Sequence, residues 1–387
     1  MHRLDESIAE ALHTAAHDSR AVAGFTHNYY RYPARFSPQF VSTAIAEFSR
    51  PGDLVLDPFV GGGTTLVEAS IAGRMAIGSD LNSLAAFVSR VKTTPLTPDE
   101  MAAIRAWLPL AMEATDYTRP RGEIRDSLPG PEVRNLEIPR ARAIKKAIAG
   151  AISTLPSLPT DACRDFARCI LLRCGKWAFD GRRVAPSVCQ FRSRLPVKAE
   201  EMLAGMAEFV HALDDRLPQP VVLQEDACNL GSTGPFETGV RARLIVTSPP
   251  YAGVHVLYHR WQVDGRRETA APYWIADCSD GQAGQFYTLG SRTPTGEKRY
   301  FETMHRAYQS LHGACEPDAH VVQLVAFSDP DRLLPQYLEV MASAGFDERA
   351  TTGVSREWRS VPNRRWYAMQ KGQTPASREV VLVHTAR

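Results

Sequence analysis

Two short stretches of the sequence hold residue types whose spacing could do chemistry. The first is LVLDPFVGGGTTLVEA, residues 54–69. It reads as a strand, a glycine-rich turn and a helix. Gly61, Gly62 and Gly63 let the backbone approach a ligand closely and adopt positive φ. A helix starting near Thr64 would point free N–H groups at that ligand. Asp80 follows Asp57 by 23 residues, at the end of the next predicted strand, where an acid can accept hydrogen bonds from ribose hydroxyls. The turn ends without a lysine, so it is not a phosphate-gripping P-loop, and a nucleoside without phosphates suits it better. The second stretch is VTSPPY, Val246–Tyr251. Its two prolines fix the backbone and remove two N–H donors, and the residue before each is held extended. Ser248, the turn carbonyls and the Tyr251 ring are thereby presented together. Acceptors beside an aromatic plate suit a planar base that carries an exocyclic amine.

The elements that must position these groups follow from the pattern. Residues 1–20 read as a polar helix and 38–48 as a helix capped by Ser37 with Pro38 in its first turn. Strands are predicted at 53–57, 74–79, 221–224 and 242–247, with a helix over 64–72 ended by Gly73. Helices near 299–314 and 331–344 and strands near 319–327, 346–352 and 379–385 complete an alternating pattern. It argues for an open, mostly parallel α/β sheet. Residues 95–218 break the rhythm with helical patterns near 98–115, 140–153, 161–174 and 198–215. A crossover needs only a dozen or so residues, so this interval reads as a helical insert. Residues 252–298 form a second irregular excursion. The organisation is therefore 1–94, an N-terminal segment with one half of the sheet domain; 95–218, the insert; and 219–387, the other half.

Composition sets outer limits. The chain has 387 residues, 44% hydrophobic and 23% charged, with a net charge of +2. These are ordinary values for a globular protein and exclude wholesale disorder. No apolar run is long enough for a membrane helix, and residues 1–20 lack the apolar core of a secretory signal. The reading is cytoplasmic, with no membrane partner. The seven cysteines form no CxxC pair, and no metal site is expected. Charge is unevenly spread: residues 168–194 hold seven Lys/Arg against one Asp/Glu, and 356–371 hold five against one. Such stretches fit a phosphate backbone or an ordinary solvated face.

Together, DPFVGGGTT and SPPY resemble the S-adenosylmethionine-dependent amino-methyltransferases that modify exocyclic amines of DNA bases. HNYYRYPARFSPQFV, residues 27–41, is similar to the segment those enzymes place before the cofactor motif, and GSDLN, residues 78–82, to their ribose-binding strand end. The resemblance covers 27–92 and 221–251, extends loosely over 299–387 and leaves out 95–218. It implies a Rossmann-like class I methyltransferase sheet, mostly parallel with the last strand antiparallel. It implies that Phe59, Gly61 and Gly63 wrap the methionine part of the cofactor, with Asp57 and Thr64 near its amino and carboxylate ends. Pro58, Thr65, Asn82 and Ala227 would line the same pocket, Asp80 would hold the ribose, Asp226 would contact the adenine, and Tyr32 and Arg35 would close the pocket. Ser248, Pro249, Pro250 and Tyr251 would form the catalytic turn.

In that family, serine in the first position of the turn goes more often with cytosine N4, and aspartate or asparagine with adenine N6. The resemblance therefore implies N4-cytosine methylation of double-stranded DNA, with adenine N6 as the alternative. More distant alternatives are an RNA amine methyltransferase and an inactive DNA-binding paralogue. No cysteine lies in a Pro-Cys motif, which argues against cytosine C5 chemistry, where a thiolate must attack. The implied setting is bacterial restriction–modification or epigenetic marking at the nucleoid. A cognate endonuclease would act on the same DNA site without a stable complex. The base must leave the duplex to react. For DNA contact the sequence offers Arg182, Arg183, Arg192 and Arg194 in the insert and Arg260, Arg266 and Arg267 in the excursion, with Trp261 beside them. Asn363, Arg364 and Arg365 near the end of the sheet complete the set. A salt-bridged surface or a core tryptophan is the alternative for each. The insert is the first candidate for target recognition.

Overall fold

A computed structural model describes residues 2–20, 22–30, 36–116, 133–252, 260–265, 267–279, 293–350, 356–360 and 378–387. A nine-stranded sheet forms its centre. The strands are β1 (His2–Arg3), β2 (Leu54–Asp57), β3 (Met75–Ser79), β4 (Val221–Leu223), β5 (Ala242–Thr247), β8 (Cys315–Val325), β9 (Phe346–Ala350), β10 (Trp358–Ser360) and β11 (Arg378–Ala386). A separate hairpin pairs β6 (Trp261–Val263) with β7 (Arg267–Thr269). The order across the sheet is β1-β9-β11-β8-β5-β2-β3-β4, with β10 beside β11. β4, β3, β2, β5 and β8 run parallel. β11 is antiparallel to β8, β9 and β10. This is the Rossmann-like sheet that the resemblance implies, with its last strand reversed.

The buried patterns explain the parallel centre. β2 is apolar and buried at every position but its last, Asp57, which is buried as well. A strand covered on both faces has no solvent side to alternate towards. One face is covered by α1 (Glu6–His17), α2 (Pro38–Phe48) and α3 (Thr64–Ile71), which share a core with the sheet. α10 (Pro294–Gly313) and α11 (Pro330–Ser343) pack on another core with Tyr251 and Phe327. The strand order reverses between β2 and β5. In such sheets the ligand crevice lies outside the carboxyl ends at that point, and there the chain places Asp57, Asp80 and Ser248.

The insert is α5 (Pro98–Ala114), α6 (Pro139–Ile152), α7 (Asp161–Phe179) and α8 (Val188–Ala212). The sequence expectation started α8 ten residues late, near 198. A capping box between Ser187 and Gln190 starts the helix earlier, and it continues through that proline. These helices share one core with α4 (Ser83–Thr93), Tyr29, Tyr30, Trp261 and α9 (Ala271–Ala276). Gly175 of α7 lies where an added Cβ would stand 3.0 Å from the Trp261 ring. Insert and excursion thus pack directly on each other. No helix of the described residues is long and apolar enough to cross a membrane.

Candidate active site

The glycine turn is held from behind. Gly61 and Gly63 adopt φ of 48° and 75°, a region open to glycine at little cost. A Cβ on Gly63 would meet Ser89 Oγ at 2.9 Å. Ser89 Oγ donates to the Gly61 carbonyl at 3.2 Å, and the buried Lys92 ammonium donates to the Gly62 carbonyl. Val60 N–H donates to Ser79 O at 2.9 Å. The turn therefore keeps its shape through α4 and β3. Gly63 is the cap of α3 and provides no side-chain acceptor for its first turn, so the positive end of that helix faces the crevice.

Asp80 sits just past β3. Its Oδ2 accepts from Gly61 N–H at 3.0 Å and its Oδ1 from Asn82 N–H at 2.9 Å. A carboxylate has about four acceptor positions, so two remain for a pair of hydroxyl donors. Burial pushes its pKa up to about 6, against the two backbone bonds that favour the anion. Asp226 follows β4 and receives Cys228 N–H at 2.9 Å. Ser79 Oγ donates to Glu225 O at 3.0 Å and fixes that end beside β3. Ala227 is buried and Phe59 half-buried.

Asp57 is held by protein donors on both carboxylate oxygens. It is 2% exposed. Its Oδ1 accepts from Thr247 Oγ at 2.6 Å and Phe59 N–H at 3.2 Å, and its Oδ2 from Thr65 Oγ at 2.6 Å. Thr247 immediately precedes Ser248. Asp57 and Thr65 therefore join the glycine turn to the SPPY turn. Asn82 is likewise turned inward at 1% exposure. Its Oδ1 caps α4 by accepting from Leu84 and Ala85 N–H, and its Nδ2 donates to Tyr273 Oη at 2.6 Å. It supports the crevice from below, through α9.

The SPPY turn is equally fixed. Ser248 Oγ lies 2.9 Å from Tyr251 Oη and 3.2 Å from Leu324 O. Tyr300 Oη of α10 donates to Pro250 O at 2.9 Å. Tyr251 Oη donates to Glu379 Oε1 at 2.7 Å. The Tyr251 ring is 5% exposed, so among the described residues it is a core element under the turn rather than an open plate. Sequence reasoning missed Glu379 and Thr247. No motif spacing marks the first, which lies 128 residues from its partner.

The arginines divide. Arg182 and Arg194 place their guanidiniums 4.9 Å and 4.2 Å from the centre of the Trp177 ring. Arg192 Nε donates to Thr115 Oγ at 2.9 Å, which ties α8 to the end of α5. Arg267 pairs with Asp264 at 3.6 Å, Arg183 is exposed and Arg260 half-buried. Trp261 is core, its Nε1 donating to Tyr30 Oη at 3.0 Å. The 180–183 loop docks on β6: Gly181 N–H donates to Gln262 O at 2.8 Å and Asp264 N–H to Arg182 O at 3.0 Å. This brings Arg182, Arg183 and Arg267 to one edge of the hairpin. The sequence did not single out Lys298, Arg299 and Arg306, which line a concavity on α10. Tyr32, Arg35, Arg266, Asn363, Arg364 and Arg365 lie outside the described residues. Among the described residues, His13, His17 and Glu357 are the one acid–imidazole–thiol group close enough to share a metal ion, their ligand atoms lying within 4.8 Å. They tie α1 to the residue preceding β10.

Residues 10–86 match the family model described as DNA methylase. That segment is thus similar to DNA methylases. The chain is 33% identical over 109 residues to Type II methyltransferase M.MvaI of Kocuria varians, covering 25% of this chain and 24% of that protein. It is 45% identical over 56 residues to Type II methyltransferase M.BsoBI of Geobacillus stearothermophilus, covering 14% and 11%. The matched parts thus span a quarter or less of these curated relatives. TrmN from Thermus thermophilus aligns over 92% of this chain and 50% of its own, with a TM-score of 0.35 and 11% identity, a likeness too slight to bear on the fold. The match supports S-adenosylmethionine as the cofactor, and the residues fit it. The glycine turn leaves no room for a side chain at Gly63, and Asp80 keeps acceptor capacity free.

The Asp57–Thr247 bond has a pH signature. Burial raises the Asp57 pKa to about 6, with the Thr247, Thr65 and Phe59 bonds opposing and Asp80 adding to the rise. The raised value means that folding favours the neutral acid. That contribution is full below the usual carboxylate range and lost as pH rises through about 6. Thr247→Val removes a donor that matters most to the anion. We expect it to destabilise the protein by about 1.5–3 kcal/mol at pH 8 and by clearly less at pH 5, read by urea unfolding. Equal losses at both pH values would contradict the bond's assigned role.

Proposed function

We propose that this protein is a site-specific DNA methyltransferase that transfers a methyl group to the exocyclic amine of a flipped base, cytosine N4 in preference to adenine N6. The observation that carries the reading is the lashing of Ser248-Pro249-Pro250-Tyr251 to the cofactor turn through Thr247 and Asp57, which sets an amine-accepting cluster beside the cofactor crevice. S-adenosylmethionine supplies an electrophilic methyl group. Ser248 Oγ and the Pro249 carbonyl accept hydrogen bonds from the NH2 group. This draws the nitrogen towards sp3 geometry and frees its lone pair for in-line attack on the methyl carbon, whose bond to sulfur breaks and leaves the neutral thioether S-adenosylhomocysteine. The departing proton passes to solvent, and no covalent enzyme intermediate is needed. Positioning supplies much of the rate.

Asp80 holds the ribose hydroxyls at its two remaining acceptor positions, and Asp226 with Ala227 takes the adenine. Pro58, Phe59, Gly61, Gly63 and Thr64 enclose the methionine part, whose carboxylate suits the amino end of α3. Tyr32 and Arg35 close the pocket. Pro249 and Pro250 stiffen the turn, and Tyr251 buttresses Ser248. The edge formed by Arg182, Arg183 and Arg267, with Arg260 and Arg266 in the same excursion, grips the DNA backbone. Asn363, Arg364 and Arg365 are a second DNA segment, and Lys298, Arg299 and Arg306 add a third basic surface on α10. Arg192 and Arg194 act by bracing the insert, which reads the target. The setting is bacterial restriction–modification or epigenetic marking. Any cognate endonuclease meets this protein only at their shared DNA site.

Incubation with labelled S-adenosylmethionine and unmethylated genomic DNA, followed by nucleoside mass spectrometry, is expected to yield N4-methylcytosine. N6-methyladenine would overturn the base assignment and keep the chemistry, and the absence of any methylated nucleoside would overturn the function. Cofactor affinity tests Asp80 separately. Its pKa of about 6 predicts affinity that is level above that pH and falls about tenfold per unit below it as the acceptor is protonated. Calorimetric titrations of wild type and Asp80→Asn across pH 5–8 check this. An equally steep fall in the variant would contradict the assignment.

A further inference from the structure

We propose that His13, His17 and Glu357 form a binding site for a divalent transition-metal ion of the zinc type, which clamps α1 to the residue preceding β10. The inference is independent of the methyl-transfer reading. The cysteine pattern predicts no metal site, and this one uses no cysteine. His13 and His17 stand four residues apart on α1, a spacing that sets two side chains one above the other on one helix face. Both rings are exposed, with their centroids 4.7 Å apart. Glu357 reaches that face from a point 340 residues beyond His17. His13 Nδ1 lies 2.9 Å from Glu357 Oε2, and His17 Nε2 lies 2.7 Å from Oε1. The ligand atoms of all three residues lie within 4.8 Å of one another.

The backbone behind the three side chains is fixed. Val381 N–H donates to Glu357 O at 2.9 Å, and Arg359 Nη1 donates to Ala16 O at 3.2 Å, so α1 and β10 are tied together beside the site. The neighbouring cations turn to other carboxylates: Arg20 to Asp18, Arg356 to Glu348 and Arg359 to Glu379. Zinc takes imidazole nitrogen and carboxylate oxygen at about 2.0–2.2 Å, which in a tetrahedral arrangement sets neighbouring ligand atoms roughly 3.3 Å apart. The two nitrogen–oxygen contacts are shorter than that, and the whole set is no wider than 4.8 Å. Rotation of the two exposed rings therefore closes the set around an ion, with water in the fourth position. Each neutral ring keeps its one proton on the outer nitrogen, where water accepts it, and the carboxylate supplies the negative charge. Two imidazoles with one carboxylate suit zinc and its first-row neighbours, whereas calcium and magnesium take oxygen ligands. As surface pairings alone these contacts contribute little to stability. A metal clip that closes so long a loop restricts the unfolded chain much more.

The test titrates zinc chloride by calorimetry into the full chain, free of any affinity tag, and follows cobalt(II) by its visible absorption. The wild type is expected to bind zinc at a site that H13A/H17A has lost, with affinity there reduced about a hundredfold or more. Glu357→Gln keeps the shape, removes the charge and should weaken the same site. Cobalt should give tetrahedral d–d bands that disappear in H13A/H17A, without the charge-transfer band of a thiolate ligand. Zinc should raise the Tm of the wild type and leave that of H13A/H17A unchanged. Both histidines are exposed and alanine is a good helix former, so the double variant should fold. Should it unfold, H13A and H17A are measured singly, and each should weaken zinc about tenfold or more through the loss of one ligand in three. A wild type that binds no zinc, variants that bind it as tightly as the wild type, or a thiolate cobalt spectrum that the histidine substitutions do not alter would overturn the proposal.

Discussion

The site depends on one buried carboxylate that is short of charge compensation. Asp57 ends β2 at the point where the sheet order reverses, and three donors from two motifs converge on it. No cation is among them, so the anion is tolerated only because each donor is well placed. That requirement works in both directions. The acid needs the hydroxyls of Thr65 and Thr247, and those hydroxyls hold the start of α3 and the end of β5 at fixed distance. The turn that would carry the methyl donor and the turn that would carry the amine are therefore set by one group.

Around that point the molecule is built in supports rather than in further ligands. Ser89 and Lys92 of α4 brace the glycine carbonyls. Asn82 caps α4 and hands the crevice on to Tyr273 of α9. α9 belongs to the same core as the insert helices, so the helical layer and the sheet meet beside Asp80. On the opposite side, Tyr300, Glu379 and Arg359 hold the SPPY turn. Arg359 reaches back to α1 through Ala16, and the residue two before it, Glu357, pairs with His13 and His17. Distant parts of the chain thus converge on a turn of four residues.

Much of this was legible in the sequence. β2, the glycine turn, α3 and β3 follow from DLVLD, GGG and Gly73, because short-range pattern and turn chemistry decide them. The closing antiparallel strand was implied by the family resemblance. The roles of Asp57 and Asn82 were not legible: a motif shows that an acid or amide is present, and only the fold shows which donors occupy it. The same holds for Tyr251, whose ring was expected to stand open and instead lies in the core. α8 was started late because the capping box at Ser187 and Gln190, which sets its first turn, was not read from the sequence. The partners of Tyr251 were invisible because β10 and β11 meet the turn only through the folded sheet, and no periodicity links residues so far apart. The basic stretches were visible as composition, yet composition could not separate Arg192 and Arg194, which brace helices, from Arg183, which faces solvent.

The central claim is that the glycine turn and the SPPY turn are two banks of one crevice. Photo-cross-linking of radiolabelled S-adenosylmethionine to the full chain, with peptide mapping, tests it most directly. The account predicts label on peptides spanning 57–82 and on the peptide bearing 248–252, with both lost when unlabelled cofactor is added in excess. Label confined to the insert or to α10, or label that excess cofactor does not displace, would contradict it.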